Sequence, residues 1–129
     1  MSLRDPQIYE GRCREGQTPR LACRIQDHGG TDLMQADVSS IAYAIYDTSD
    51  NSGLDSGTLL KADVVYDTLQ NDDAWTEDAN GFNFAWVCDY DNSADAGKTL
   101  QIEVVLTLTS ADTVPLIFHL EVEDVLSLP

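Results

Sequence analysis

The stretch from residue 97 to residue 124, GKTLQIEVVLTLTSADTVPLIFHLEVED, alternates apolar with other side chains almost without interruption. A period of two puts successive side chains on opposite faces of a strand, so the stretch predicts two long β-strands, each buried on one face. The apolar side chains of the two strands face the same core only if the turn between the strands contains an odd number of residues. We therefore predict a hairpin with a three-residue loop, Ser110 to Asp112, that sets Ile102 opposite Leu120. The buried sets are Leu100, Ile102, Val104, Leu106 and Leu108, and Val114, Leu116, Phe118, Leu120 and Val122.

Shorter alternating runs, separated by turn residues, fill the rest of the chain. The segments GRCREGQTP and TSDNSGLDSG are rich in turn residues and are predicted to be loops. No segment shows the period of a helix. The remaining strands are predicted at Ile8 and Tyr9 and in residues 20–26, 38–47, 60–66 and 82–86.

This pattern predicts an all-β fold, an immunoglobulin-like antiparallel β-sandwich of about seven strands. Residues 1–129 are expected to form a single domain, because the length suits one core. A small β-barrel is the alternative, since alternation does not reveal the number of sheets. Residues 1–6 are expected to be a disordered leader.

The chain is strongly acidic. It carries 23 Asp and Glu against 7 Lys and Arg, a formal net charge of −16. Such a charge repels a phosphate backbone, so we expect no nucleic-acid partner. The apolar runs are too short to span a membrane, and the lack of an export signal favours cytoplasmic synthesis. A solvated surface, a bound cation or a basic protein partner would each suit this charge.

Three cysteines, Cys13, Cys23 and Cys88, show neither a CxxC spacing nor a zinc pattern. Because their number is odd, at least one thiol stays free within a single chain. Cys23 and Cys88 lie in alternating apolar patterns and are predicted to be core residues. A bond from Cys13 to Cys23 stays open for an oxidising compartment, but we favour reduced thiols.

The sequence offers no case for an enzyme. His28 lies beside a Gly-Gly turn, and His119 lies on the predicted outer face of the last strand. His119 opposite Glu103 resembles a base with its orienting carboxylate, but a cross-strand charge pair on a solvated sheet explains the same residues. We predict no catalytic residue and no resident cofactor.

Calcium is the one ion that the sequence leaves open, because its ligands are oxygens from flexible loops. Asp89, Asp91, Ser93 and Asp95 occupy the first, third, fifth and seventh positions of an EF-hand-like loop. The motif then fails, since its sixth position lacks Gly, its twelfth lacks Glu and strands flank it. We keep Asp89, Asp91 and Asp95 as candidate metal ligands and a solvated loop as the alternative.

Aromatic residues allow a second kind of ligand, a carbohydrate. Trp75, Trp86 and Tyr90 are close in sequence and adjoin the acidic loops. Carbohydrate-binding sandwiches use exposed rings of this kind as a platform, whereas core or loop anchors explain the same residues.

The outer face of the predicted hairpin is the candidate protein interface. Val105 and Ile117 are expected to pair there beside Glu103 and His119. The neighbouring strand, residues 38–47, adds apolar residues on the same side. A contiguous apolar patch would indicate contact with another subunit, whereas isolated exposed apolar residues need no explanation.

Three segments carry a resemblance to a known group. ADVSSIAYAIYD, LLKADVVYDTLQNDDAWTEDANGFNF and the hairpin together resemble small immunoglobulin-like domains of bacteriophage and prophage virion or tail-associated proteins. The resemblance implies a non-catalytic accessory or assembly protein, incorporated into a virion, a phage-like or another multi-subunit particle through a protein partner or self-association. A calcium- or carbohydrate-binding module is the alternative.

Overall fold

The computed structural model describes residues 7–72, 75 and 81–123 of the chain. The expectation of a leader in residues 1–6 falls outside this part of the protein. The described residues form eight strands, one α-helical turn and one 3-10 helix. In chain order these are β1 (Gln7–Arg14), β2 (Arg20–Cys23), the 3-10 helix (Gln35–Asp37), β3 (Val38–Asp47), β4 (Ser52–Leu59), α1 (Lys61–Val64), β5 (Val65–Gln70), β6 (Phe82–Val87), β7 (Thr99–Leu108) and β8 (Thr113–Glu123).

The strands build an open β-sandwich of two packed sheets, which confirms the predicted fold class over the barrel alternative. One sheet has the order β1-β8-β7-β3-β4 and the other the order β2-β6-β5. This order matches immunoglobulin-type sandwiches, with β2, β6 and β5 in the places of strands B, E and D and β3, β7 and β8 in those of C, F and G. The prediction of a wholly antiparallel fold was wrong for β1, which runs parallel to β8.

β7 and β8 form the predicted hairpin. All ten side chains predicted to face the core are buried, with at most 6% of their surface exposed. The predicted register was wrong by two residues, because Ile102 lies opposite Phe118 and Leu100 lies opposite Leu120. A shift of two leaves every side chain on its predicted face, so the error does not disturb the core.

The position of the turn explains the register error. The N–H of Leu108 donates to the carbonyl of Asp112 at 2.8 Å, and the N–H of Ala111 donates to the carbonyl of Leu108 at 2.9 Å. The loop therefore has the predicted odd length but runs from Thr109 to Ala111. Ala111, the last residue of this loop, takes the left-handed conformation with φ of 73°.

Three segment assignments were wrong, each because backbone pairing or local turn geometry overrode the side-chain pattern. GRCR was assigned to a loop but lies in β1, where β8 supplies the pairing. SGLDSG was assigned to a loop but begins β4, which pairs with β3 although most of its side chains are exposed. The strand predicted over residues 60–66 is interrupted by the turn of α1.

Aromatic stacking joins the two sheets. The ring of Phe118 in β8 lies 6.4 Å from that of Phe84 in β6 and 5.3 Å from that of Tyr9 in β1. Cys23 and Cys88 are core residues, as predicted, and are 0% and 2% exposed. Burial raises the pKa of the Cys23 thiol to about 12. Cys13 is also buried, and all three thiols are free.

Asn83 is one of four buried polar residues in the described part of the chain. Its side chain is 1% exposed although it lies between the aromatic residues of β6. Its Oδ1 accepts from the N–H of Ile25 at 2.6 Å, and its Nδ2 donates to the carbonyls of Ile25 at 2.9 Å and Leu33 at 3.0 Å. Asn83 thereby satisfies backbone groups of a segment that has left the ladder of β2, which is why a buried amide is tolerated there.

The strained turn yields a stability prediction. Left-handed backbone costs about 1–2 kcal/mol for a residue with a Cβ, whereas glycine adopts it freely. The greater freedom of glycine in the unfolded chain offsets about 0.4–1 kcal/mol of that gain. We expect Ala111→Gly to raise the free energy of unfolding by about 0.5–1 kcal/mol, measured by urea denaturation.

The matched control is Ala94→Gly, at an exposed position in another turn where φ is not positive. This substitution is expected to destabilise the protein, since only the unfolded chain gains freedom. Equal destabilisation by both substitutions would contradict the strain assigned to Ala111.

Candidate functional site

The outer face of the hairpin holds an apolar row that crosses three strands. Val105, 37% exposed, lies between Pro115 of β8 and Ala42 of β3. Ile117 lies opposite Glu103 in the observed register. The predicted pair of Val105 with Ile117 was therefore wrong, and the apolar surface that surrounds Val105 comes from its other neighbours.

His119 does not lie opposite Glu103 as predicted, because the same register places it opposite Gln101. Its Nε2 lies 3.2 Å from Oε1 of Gln101, whose Nε2 donates to Oε2 of Glu103 at 2.8 Å. A glutamine amide, which neither takes up nor releases protons near neutral pH, thus separates the imidazole from the carboxylate. The three side chains form a half-buried polar row on this face.

The three aspartates predicted to be metal ligands lie in different surroundings. Asp91 accepts from the N–H of Ser93 at 3.0 Å, and hydrogen bonds from Ser93 lower its pKa. Asp95 accepts from the hydroxyl of Tyr90 at 2.9 Å, whereas Asp89 is exposed. Within residues 7–72, 75 and 81–123, no group of His, Cys, Asp or Glu side chains is arranged to hold a metal ion.

Asp95 belongs instead to a cluster around Lys98. Lys98 Nζ lies 3.3 Å from Oδ2 of Asp47 and 3.5 Å from Oδ1 of Asp95, and the two aspartates are only 4% and 3% exposed. Hydrogen bonds from Ser49, supported by Lys98, lower the pKa of Asp47. The hydrogen bond with Asp47 raises the pKa of Lys98. The chain thus supplies its own cation to this pair of buried carboxylates.

Each ring of the proposed carbohydrate platform packs against a different partner. Trp86 is 7% exposed, and its ring lies 4.7 Å from that of Tyr43. Trp75 is half-buried, with its ring 5.4 Å from that of Phe82. Burial and then the hydrogen bond to Asp95 raise the pKa of Tyr90 to about 12. These contacts are typical of aromatic rings that anchor the core and its loops.

A groove of about 520 Å³, which sequence analysis missed, gathers exposed apolar side chains. Leu60 is 72% exposed, Val87 is 59% exposed and Tyr66 is 38% exposed, and all three line it. They are half of the six large exposed apolar residues in the described part of the chain. We refer to this feature as the β4–β6 groove. Its other lining residues are Arg20, Tyr43, Thr58, Leu59, Asp63, Val64, Ala85, Trp86 and Asp89.

The β4–β6 groove exists because strand pairing stops on both of its sides. β4 is the last strand of its sheet, so one of its edges has no strand partner among the described residues. The register of β5 with β6 reaches only to Val65 opposite Phe84, which leaves the later part of β6 paired with β2 alone. α1 occupies the turn between the two sheets and holds Leu60 at its N-terminal end.

Negative charge surrounds the β4–β6 groove. Tyr43 donates its hydroxyl hydrogen to Oδ2 of Asp55 at 3.1 Å. Burial raises the pKa of Tyr43, with Asp55 and Asp89 adding to the effect. Arg20, the basic residue in the lining, is held by Asp72 through contacts of 2.7 and 3.1 Å. The carboxylates of Asp63 and Asp89 have no ion pair within the described residues.

The sequence contains a recognisable signal for some of the residues that line this groove. Leu60 begins the strand predicted over residues 60–66, but the turn of α1 interrupts that strand and leaves the Leu60 side chain exposed. Val87 is apolar yet out of phase with Phe84 and Trp86, and such an out-of-phase residue indicates an apolar outer surface. Their proximity depends on the packing of the two sheets and has no signature in the chain.

No protein-family model matches the chain, and no curated protein is recognisably similar to it in sequence. Among the helices of the described residues, none has the length and apolar character needed to cross a bilayer. The function must therefore be argued from the surface itself.

The Lys98 cluster yields a pH-dependent prediction. We expect Lys98→Met to lower stability at pH 7, because it leaves two buried carboxylates without their cation. The lowered pKa of Asp47 means that its contribution exists above the unfolded pKa of about 4 and is lost as pH falls through the folded pKa. The stability deficit of the variant should therefore shrink on acidification, as followed by thermal unfolding between pH 7 and pH 3.

Arg12→Met is the control for this experiment. It removes an exposed pair with Glu121, in which the side chains are 71% and 61% exposed at a distance of 3.7 Å. Exposed pairs contribute little, so its effect should be small at every pH. A deficit of Lys98→Met no larger than that of Arg12→Met would contradict the role given to the cluster.

Proposed function

We propose that the protein is a non-catalytic interaction module that assembles with another protein through the β4–β6 groove. In this proposal it is an accessory or assembly protein of a phage-derived or other multi-subunit particle. The observation that carries the proposal is the grouping of Leu60, Tyr66 and Val87 around one groove.

The grouping matters more than the number of exposed apolar residues. Single exposed apolar side chains are normal on a soluble protein, whereas contiguous ones mark contact sites. Leu60 and Val87 expose more than half of their surface, so a partner that covers them removes that area from water. Burial of an aliphatic side chain contributes about 1.5–3 kcal/mol, so a partner that covers both anchors gains part of the free energy that a specific contact needs.

Two polar groups of side chains outside the groove are already bound to partners within the chain. Lys98 binds the buried carboxylates of Asp47 and Asp95, and Gln101 separates His119 from Glu103. These arrangements support a binding role over a catalytic one. The resemblance of the strand segments to virion and tail-associated immunoglobulin-like domains supports incorporation into a particle.

The test is quantitative capture of partners from extracts of the cells or particles that contain the protein. A Leu60→Ser/Val87→Thr variant should lose the captured partner at least about tenfold, because both apolar anchors become polar. Its melting temperature should stay close to that of the wild type, since both side chains are largely exposed.

Val105→Thr is the matched control, because Val105 is an exposed apolar residue on the outer face of the hairpin. It should retain the partner. Retention by the groove variant together with loss by Val105→Thr would overturn the choice of groove and return the contact to the hairpin face. Equal capture by wild type and both variants would overturn the interaction function of both surfaces.

A further inference from the structure

We infer that the β4–β6 groove accepts an extended segment of a partner protein in which lysine or arginine alternates with apolar residues. The inference rests on the proposed interaction function and adds the chemistry of the partner. It follows from three properties of the groove, namely its strand edges, its apolar anchors and its charge.

Unpaired strand edges select an extended occupant. One edge of β4 lacks a strand partner in the described part of the chain, and Thr58 and Leu59 at its end line the groove. The edge of a sheet presents backbone N–H and C=O groups that an extended segment satisfies by adding a strand. A helical occupant would leave these groups without protein partners.

Apolar anchors on the two walls suit alternate residues of such a segment. Leu60 stands at the start of α1 and Val87 at the end of β6, and both side chains are largely exposed. Alternate side chains of a strand point to the same face, so one face of the segment can cover these anchors while the other carries charge.

Charge selects a basic segment. Asp63 and Asp89 line the groove without an ion pair among the described residues, and Asp55 adds charge beside Tyr43. Arg20 does not neutralise them, because Asp72 holds it. An ammonium or guanidinium group gains charge-assisted hydrogen bonds from free carboxylates and attraction from the neighbouring aromatic rings.

The charge of the whole chain points to the same occupant. At −16, two copies of this protein repel each other, whereas a basic segment is attracted over a distance. The partner is therefore a different, basic chain and not a second copy.

The probes are two synthetic hexapeptides, acetyl-VKVKVK-amide and acetyl-VEVEVE-amide, titrated into the ¹⁵N-labelled protein at about 0.15 M salt, near physiological ionic strength. The lysine peptide should shift the backbone amide signals of residues 58–64 and 85–89 in a saturable way. The glutamate peptide should shift none of them. Absence of saturable shifts with the lysine peptide, or equal binding of both peptides, would overturn the inference.

Variants that remove charge show where on the protein the lysine peptide binds. Asp63→Asn/Asp89→Asn should weaken the lysine peptide about tenfold, since two charge-assisted contacts are lost. Glu10→Gln/Glu123→Gln removes the same charge from exposed positions of β1 and β8 and should change the affinity less than about twofold. Equal weakening by both variants would show diffuse attraction to an acidic protein and would overturn the inference.

The peptide titration and the capture experiment can fail independently, so they test the inference and the proposed function separately. If the Leu60→Ser/Val87→Thr variant loses its native partner while the lysine peptide fails to bind, the groove is an interaction site and the chemistry assigned to its occupant is wrong. If the groove variant retains the native partner although the peptide binds the groove as described, the groove has the binding chemistry inferred for it, but the native partner uses another surface and the proposed function fails.

Discussion

Burial of one face of the β7–β8 hairpin against β6 is the constraint on which the rest of the structure depends. Phe118 and Phe84 meet across the two sheets, and the inward residues of both hairpin strands fill the space around them. β1 adds to the free edge of β8, and β3 adds to that of β7, so the larger sheet grows outward from the hairpin. The smaller sheet follows from β6, which supplies the opposite wall.

The sequence predicted those parts of the fold that the side-chain pattern determines, and it missed the parts that depend on backbone pairing or turn conformation. The inward faces of β7 and β8 were predictable because burial demands a period of two. The register was not, because it depends on Ala111 adopting a conformation that its residue type disfavours. β4 was missed because its pairing with β3 uses backbone groups, and its own side chains are mostly polar and exposed. Asn83 was missed because its role is to satisfy the backbone of Ile25 and Leu33.

The candidate site arises where the regular pairing of the sandwich ends. α1 interrupts the alternation that would have buried Leu60, and β5 leaves β6 before Val87. The same interruptions that leave apolar side chains exposed also leave strand edges unpaired, so anchors and edges occur together. The aspartates that the sequence suggested as metal ligands have different roles in the structure. Asp95 is used within the fold, whereas Asp89 remains available at the groove.

Amide hydrogen exchange of the protein, alone and bound to its native partner, tests the central claim most directly, because it reports protection residue by residue along the chain. The claim predicts slower exchange on binding at residues 52–64 and 85–89, on the two sides of the β4–β6 groove. Protection confined to residues 101–107 and 115–119 would contradict it, because the partner would then lie on the outer face of the hairpin.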